Sequence, residues 1–174
     1  MKKHFLGPGD FYIGQESVFL ETLLGSCVSF VFWHQSKKVA GLTHSLLPHR
    51  TLVNESNDLS GKFIDESLLI VRNNLFRYGI DLSDMIVFIY GGGDMFPSLQ
   101  TGPTIGKKNI DQALMIAERY QLDVKHIDTG GCFYRKISID ASSGDVIAIK
   151  QPLNFVHRSS RSLVNGFTNQ SYGG

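Results

Sequence analysis

Two side chains in this chain are of types that can do covalent chemistry together. They are Cys27 and, seventeen residues later, His44. Cys27 follows a glycine–serine turn in the stretch Leu23-Leu24-Gly25-Ser26-Cys27-Val28-Ser29. Turn amides aimed at a sulfur, or an imidazolium beside it, lower a thiol's pKa and supply a nucleophilic thiolate. A histidine within reach takes the thiol proton and later delivers it to a leaving group. Such a pair needs a third group to orient the imidazole. Thr22 and Glu21, just upstream of the turn, are the two candidates. Each residue also has a plainer reading. A free cysteine is most often a small buried hydrophobe, a histidine a hydrogen-bonded core residue, and Glu21 an exposed strand residue.

The elements around the pair supply the argument for proximity. Val28-Ser29-Phe30-Val31-Phe32-Trp33 is β-branched and aromatic, and reads as a strand. Val39-Ala40-Gly41-Leu42-Thr43-His44 reads as a second strand, and the polar break Gln35-Ser36-Lys37 suits a hairpin loop. With residues 34–37 as the loop, Trp33 faces Lys38, and counting back along the ladder sets Cys27 opposite His44. Facing residues of an antiparallel pair share a face, with Cβ atoms roughly 4.5–5.5 Å apart. A slip of one residue would turn them to opposite faces.

The rest of the chain alternates helix and strand signals. Phe11-Tyr12-Ile13 is a short strand, and Val18-Phe19-Leu20 leads into the cysteine turn. Asn54–Asp58 is polar and reads as an exposed loop. Ser60 is a candidate N-cap for a helix in which Ile64, Leu68, Val71, Leu75 and Tyr78 recur at helical spacing, closed by Gly79. Met85-Ile86-Val87-Phe88-Ile89-Tyr90 is apolar on both faces, which predicts a buried central strand. Asn109 and Gln112 resemble a capping box opening a second amphipathic helix. Strands follow at residues 123–128, 136–140 and 145–149, the last two around a Ser142-Ser143-Gly144 turn. Two helices against about eight strands predict an α+β layered domain. Both faces of the first hairpin are apolar, which demands more than two layers.

Glycine turns follow two of these strands. Gly91-Gly92-Gly93 lacks the Gly-x-Gly-x-x-Gly spacing and the lysine of phosphate-binding loops. A tight turn with close backbone approach is the better reading. With Ser26, the turns at Gly91-Gly92 and Gly130-Gly131 are expected to line the rim around Cys27 and present amides to a substrate.

Composition bounds the remaining classes. The chain has 174 residues, 42% of them hydrophobic, and a net charge of +1. One domain with a substantial core follows, without the strong field that nucleic acid or an anionic membrane would call for. No apolar run is long enough for a membrane span, and the Lys-rich start lacks the apolar core of a signal peptide. A cytoplasmic location is expected, with Cys27 and Cys132 as free thiols. No metal-ligand spacing is present. Residues 1–153 are expected to form the domain and residues 154–174 a flexible polar tail.

Five blocks together resemble the chemoreceptor glutamine deamidases, the CheD family. They are Leu23–Val28 with Thr43-His44, Lys62-Phe63-Ile64-Asp65, Gly91-Gly92-Gly93-Asp94-Met95-Phe96, Ile105-Gly106-Lys107-Lys108-Asn109, and Asp128-Thr129-Gly130-Gly131. The resemblance implies a layered α/β/β sandwich shared with toxin deamidases. It implies hydrolysis of glutamine side chains to glutamate on the cytoplasmic helices of methyl-accepting chemoreceptors, and in some members of glutamyl methyl esters. It maps the nucleophile onto Cys27 and the base onto His44, with no metal or cofactor. The family's third residue is a threonine six before the cysteine. Here that position is Glu21, and Thr22 lies five before. The alternative to catalysis is an adaptor that binds receptors or a CheC-type phosphatase.

Overall fold

A strand with no polar face has to lie in the middle of a layered structure. β4 (Val28–His34) is such a strand: its first six residues are all buried. In the computed structural model, which describes residues 2–51, 58–97, 101–153 and 169–170, β4 is the centre of the middle layer. Val28, Phe30 and Phe32 point to one core, under the helices. Val31 and Trp33 point to a second core, between two sheets.

The described residues form two five-stranded mixed sheets and two α-helices. The outer sheet is ordered β1 (Lys2–Leu6), β3 (Val18–Leu24), β8 (Phe133–Asp140), β9 (Val146–Pro152), β10 (Asn169–Gln170). The middle sheet is ordered β2 (Phe11–Gly14), β5 (Val39–Thr43), β4, β6 (Ile86–Gly91), β7 (Asp123–Thr129). The pairs β1–β3 and β6–β7 are parallel, and the other pairs antiparallel. α1 (Ile64–Leu75) and α2 (Ile105–Arg119) cover the far face of the middle sheet. The layers are therefore helix, sheet, sheet, as the α/β/β expectation has it. Each fully buried Phe or Leu of the two cores contributes about 1.5–3 kcal/mol, which is why β4 tolerates no polar face.

Several boundaries differ from the sequence reading. β1 was not foreseen: His4 and Phe5 are exposed and only Leu6 is buried, so it carries no alternating pattern. α1 starts at Ile64 without a side-chain cap. Ser60 instead bonds locally, its hydroxyl accepting the Lys62 N–H at 3.3 Å while its own N–H donates to Glu66 Oε2 at 2.7 Å. A 3-10 turn, Phe76–Tyr78, continues α1 to Gly79, whose φ of 59° closes it. α2 begins at Ile105, with Thr104 as N-cap accepting the Lys107 N–H. Asn109 is therefore inside the helix, and the capping-box reading fails. Most of the predicted 54–58 loop and of the predicted flexible tail lies outside the described residues; within the tail, only Asn169–Gln170 is described, as β10 against β9.

Candidate active site

Cys27 sits where the chain passes from the outer sheet to the middle one, in the three-residue link Gly25-Ser26-Cys27 between β3 and β4. It is half-buried and packs against the inter-sheet core. All three carbonyls of the link are held. Gly93 N–H donates to Gly25 O at 2.8 Å, Asn109 Nδ2 to Ser26 O at 3.0 Å, and Gly92 N–H to Cys27 O at 2.8 Å. Gly91 makes the approach possible. A Cβ there would come within 2.1 Å of the Cys27 carbonyl oxygen, and its φ is +110°.

His44 follows β5 and is 3% exposed. Its backbone pairs with the β1–β2 connection: its N–H donates to Asp10 O at 3.0 Å, and its carbonyl accepts the Gly9 N–H at 2.7 Å. The β4–β5 ladder opens here, because the Thr43 hydroxyl accepts the Phe30 N–H at 3.0 Å. It resumes at the Val28–Ser45 bridge. The register corrects the hairpin count. Trp33 pairs with Ala40 and His34 with Val39, so the loop is Gln35 to Lys38 and the ladder is shifted by two residues. Cys27 is not directly opposite His44. A shift of two preserves the face, however, and a diagonal replaces the direct pair.

The ring of His44 is held by the outer sheet. Thr22, on β3, is fully buried, with Oγ1 2.8 Å from His44 Nδ1 and 2.8 Å from the Leu6 carbonyl of β1. The same carbonyl lies 3.4 Å from Nδ1. A carbonyl only accepts. The Thr22 O–H therefore goes to Leu6, and Nδ1 carries a proton shared between Leu6 O and Thr22 Oγ1. That arrangement selects the tautomer with Nε2 unprotonated. Glu21 points the other way, since successive strand residues alternate. Its carboxylate pairs with Lys136 Nζ at 2.8 Å on the outer face of the sheet, so it is not in contact with His44.

Burial sets the protonation of both partners. The Cys27 thiol is pushed up from 9.0 by burial, partly offset by its own amide. His44 is pushed down from 6.5 by burial, partly offset by the Leu6 carbonyl and Asp10. Both shifts favour the uncharged forms, a thiol and a neutral imidazole.

The glycine turns do something other than expected. The amides of Gly92 and Gly130 are used inside the protein, on Cys27 O and Gly91 O respectively. Gly130 O accepts from Arg135 Nη2, and Gly131 O from the Asp94 N–H. The Gly91–Gly93 turn clasps the Cys27 link and the Gly130-Gly131 turn is bonded to Gly91 and Asp94, so the amides of Gly92 and Gly130 are not free for a substrate. A cavity of about 70 Å³ adjoins Ser26, lined by Gly93, Asp94, Met95, Phe96, Thr104 and Gly106. A larger one, of about 500 Å³, lies at the opposite end of the inter-sheet space around Trp33 and Phe88 and contains none of these residues.

Asn109 is the site residue the sequence reading missed. Its side chain bridges Ser26 O and, at 2.8 Å, Leu46 O. The available signal was a polar residue in the buried stripe Gly106, Asn109, Ala113, Ile116, Ala117 of α2. His49 is exposed, and the Cys132 carbonyl accepts the Leu153 N–H. Among the described residues no group of three or more His, Cys, Asp or Glu side chains is placed to hold a metal ion.

A family model described as CheD chemotactic sensory transduction matches residues 46–150. A protein of Pseudomonas fluorescens (strain SBW25), named a probable chemoreceptor glutamine deamidase CheD, is 36% identical over 154 residues, 87% of this chain and 86% of its own length. One from Chromobacterium violaceum, named probable chemoreceptor glutamine deamidase CheD 1, is 34% identical over 144 residues, 82% and 74%. One from Methanococcus maripaludis (strain C5 / ATCC BAA-1333), also named a probable chemoreceptor glutamine deamidase CheD, is 31% identical over 142 residues, 82% and 91%.

Proposed function

The chain belongs to the CheD family, and we propose that it hydrolyses glutamine side-chain amides of chemoreceptors to glutamate, with Cys27 as nucleophile, His44 as base and Thr22 as the residue that orients the base. The observation that carries this reading is the buried Thr22–His44 tie at 2.8 Å. It leaves Nε2 as the basic nitrogen of a ring on the same inter-sheet face as Cys27.

The chemistry runs in two stages. His44 Nε2 takes the thiol proton as Cys27 Sγ bonds to the carboxamide carbon. Because both groups rest neutral, proton transfer accompanies attack. The carbonyl π electrons move onto oxygen, and the amides of Ser26 and Cys27 receive that charge. One such donor is worth about 2.7–4 kcal/mol in a transition state. The intermediate collapses, the C–N bond breaks, and the imidazolium protonates the departing ammonia. A γ-glutamyl thioester remains. Water, deprotonated by His44, adds to it, the C–S bond breaks, and the proton returns to Cys27 as glutamate leaves. A glutamyl methyl ester would follow the same path with methanol as leaving group.

The residues that do this all fall within 1–153, which we assign as the deamidase domain. The proposed partner is the cytoplasmic helical region of a methyl-accepting receptor, which sets the protein in the cytoplasm. No helix of the described residues is long and apolar enough to cross a membrane. The test is incubation with a purified receptor cytoplasmic fragment, followed by ammonia release and peptide mass spectrometry. Conversion of specific glutamines by the wild type and none by Cys27→Ala is expected. Full conversion by Cys27→Ala would overturn the assignment. A Cys27→Ala protein that still captures the fragment, alongside a wild type with no turnover, would mark an adaptor instead.

A further inference from the structure

The Cys27 amide is a donor only if its peptide plane is turned the right way. That plane is shared with the Ser26 carbonyl. In a trans peptide the C=O and N–H point in opposite directions, and none of the described peptide bonds is cis. Whatever holds Ser26 O therefore aims the Cys27 N–H. Asn109 holds it, through Nδ2 at 3.0 Å. The Cys27 amide in turn lies against its own thiol, where it lowers the thiol's pKa.

Asn109 is 0% exposed and stands in an otherwise apolar helical stripe. Burying an amide there is unfavourable unless its hydrogens are used. Both are: the second N–H goes to Leu46 O at 2.8 Å, two residues beyond His44. The Oδ1 atom is buried without a partner among the described residues. Two carbonyl acceptors at Nδ2 exclude the flipped amide. One side chain thus spans the link carrying Cys27 and the segment following His44. That segment is itself pinned by the Leu46 and Leu47 N–H groups on Lys62 O and by Ser45 Oγ on Gly61 O.

We propose that Asn109 is a positioning residue for the oxyanion site: it turns the Ser26–Cys27 peptide so that the Cys27 N–H faces the developing oxyanion, and it holds this peptide in place relative to His44. The inference rests on the deamidase reading of the site. Asn109 contacts no substrate; it acts through the peptide it orients.

The test separates two reactions of the same sulfur. Acyl transfer to Cys27 builds an oxyanion, whereas alkylation by iodoacetamide is a displacement that builds none. Asn109→Ala is expected to lose about 10²- to 10³-fold in kcat, the range for one oxyanion donor. KM should be little changed; the pH midpoint of Cys27 alkylation should move up, because the turned amide no longer lowers the thiol's pKa, while the rate at a pH high enough to ionise the thiol stays that of the wild type. Asn109→Thr, which nearly conserves volume and keeps one donor, is expected to fold more readily and to show a smaller loss of the same kind. Two results overturn the proposal: kcat retained in both variants, or kcat falling together with the alkylation rate of the ionised thiol in Asn109→Thr while its unfolding midpoint is unchanged. Failure of the deamidase reading looks different, because then the wild type converts no glutamine, or Cys27→Ala converts it fully.

Discussion

Replacing Thr22 by valine isolates the hydroxyl that holds His44, because valine keeps the branched shape and discards Oγ1. Two contacts are lost, the O–H bond to Leu6 O at 2.8 Å and the contact with His44 Nδ1 at 2.8 Å. Thr22 and His44 are 0% and 3% exposed, so water does not readily replace them. Of the contacts among these three groups only that between Nδ1–H and Leu6 O remains, at 3.4 Å, beyond the 2.7–3.2 Å of a good N–H···O bond. Leaving a buried polar group short of a partner costs about 1–3 kcal/mol. Because the two stranded groups partly satisfy one another, the folded state should lose about that amount once rather than twice. For turnover the relevant quantity is the bias toward one tautomer and ring orientation. A net hydrogen bond of about 0.5–1.5 kcal/mol, at 1.36 kcal/mol per tenfold, gives a fall of about 2- to 13-fold in kcat. The assay is ammonia release from a receptor fragment at saturating and limiting concentration, beside urea unfolding. KM should not move, and Thr22→Ser should restore both kcat and stability. Wild-type kcat in Thr22→Val, with stability reduced, would refute the orienting role and leave Thr22 a packing residue.

Further expectations follow from the same geometry. With His44 held below 6.5 and Cys27 above 9.0, kcat/KM should have its acid limb below pH 6.5, where the imidazole protonates. Its alkaline limb should lie above pH 9.0, where the pair has lost the proton needed by ammonia; limbs inside that interval would contradict the burial argument. The same depressed pKa gives a stability trend. Between its folded value and 6.5 the unfolded chain binds the proton and the folded chain does not, so this share of stability is present above pH 6.5 and is lost as pH falls below it, which thermal unfolding across that range reads directly. Gly91→Ala should cost about 1–3 kcal/mol for the left-handed backbone alone. It should also abolish turnover by displacing the Cys27 carbonyl, and an active, stable Gly91→Ala protein would show that the clasp is dispensable. Glu21→Gln breaks only the Lys136 pair on the outer face. It should leave kcat and KM unchanged and shift stability by less than about 1 kcal/mol, whereas a large loss of kcat would return Glu21 to the site.

Much of the architecture could be read along the chain because it rests on local signals. The two-sided apolarity of β4 and β6 demanded a middle layer, and the helical spacing of Ile64, Leu68, Val71 and Leu75 placed α1. Cap assignments failed where side chains had a better tertiary use. Ser60 turned to local bonds, and Asn109 served the cysteine link instead of a helix end. β1 escaped because one buried leucine makes no pattern, yet it supplies the carbonyl that fixes the His44 tautomer.

The alternation of residues, a local property, already placed Cys27 and His44 on one face, and it survived a two-residue error in register because two is the strand period. Alternation also separates Thr22 from Glu21, but only once it is known which face of β3 looks inward. That depends on the outer sheet packing over the middle one, a contact between residues far apart in the chain. The same holds for the glycine turns. Their composition marks a close backbone approach, while the partner of each amide, Cys27 O for Gly92 and Gly91 O for Gly130, depends on how strands of two sheets meet. The chain alone thus determines the chemical types and their faces. Tertiary structure decides which hydrogen-bond partners they meet, because a buried donor takes whichever acceptor the packing brings to it.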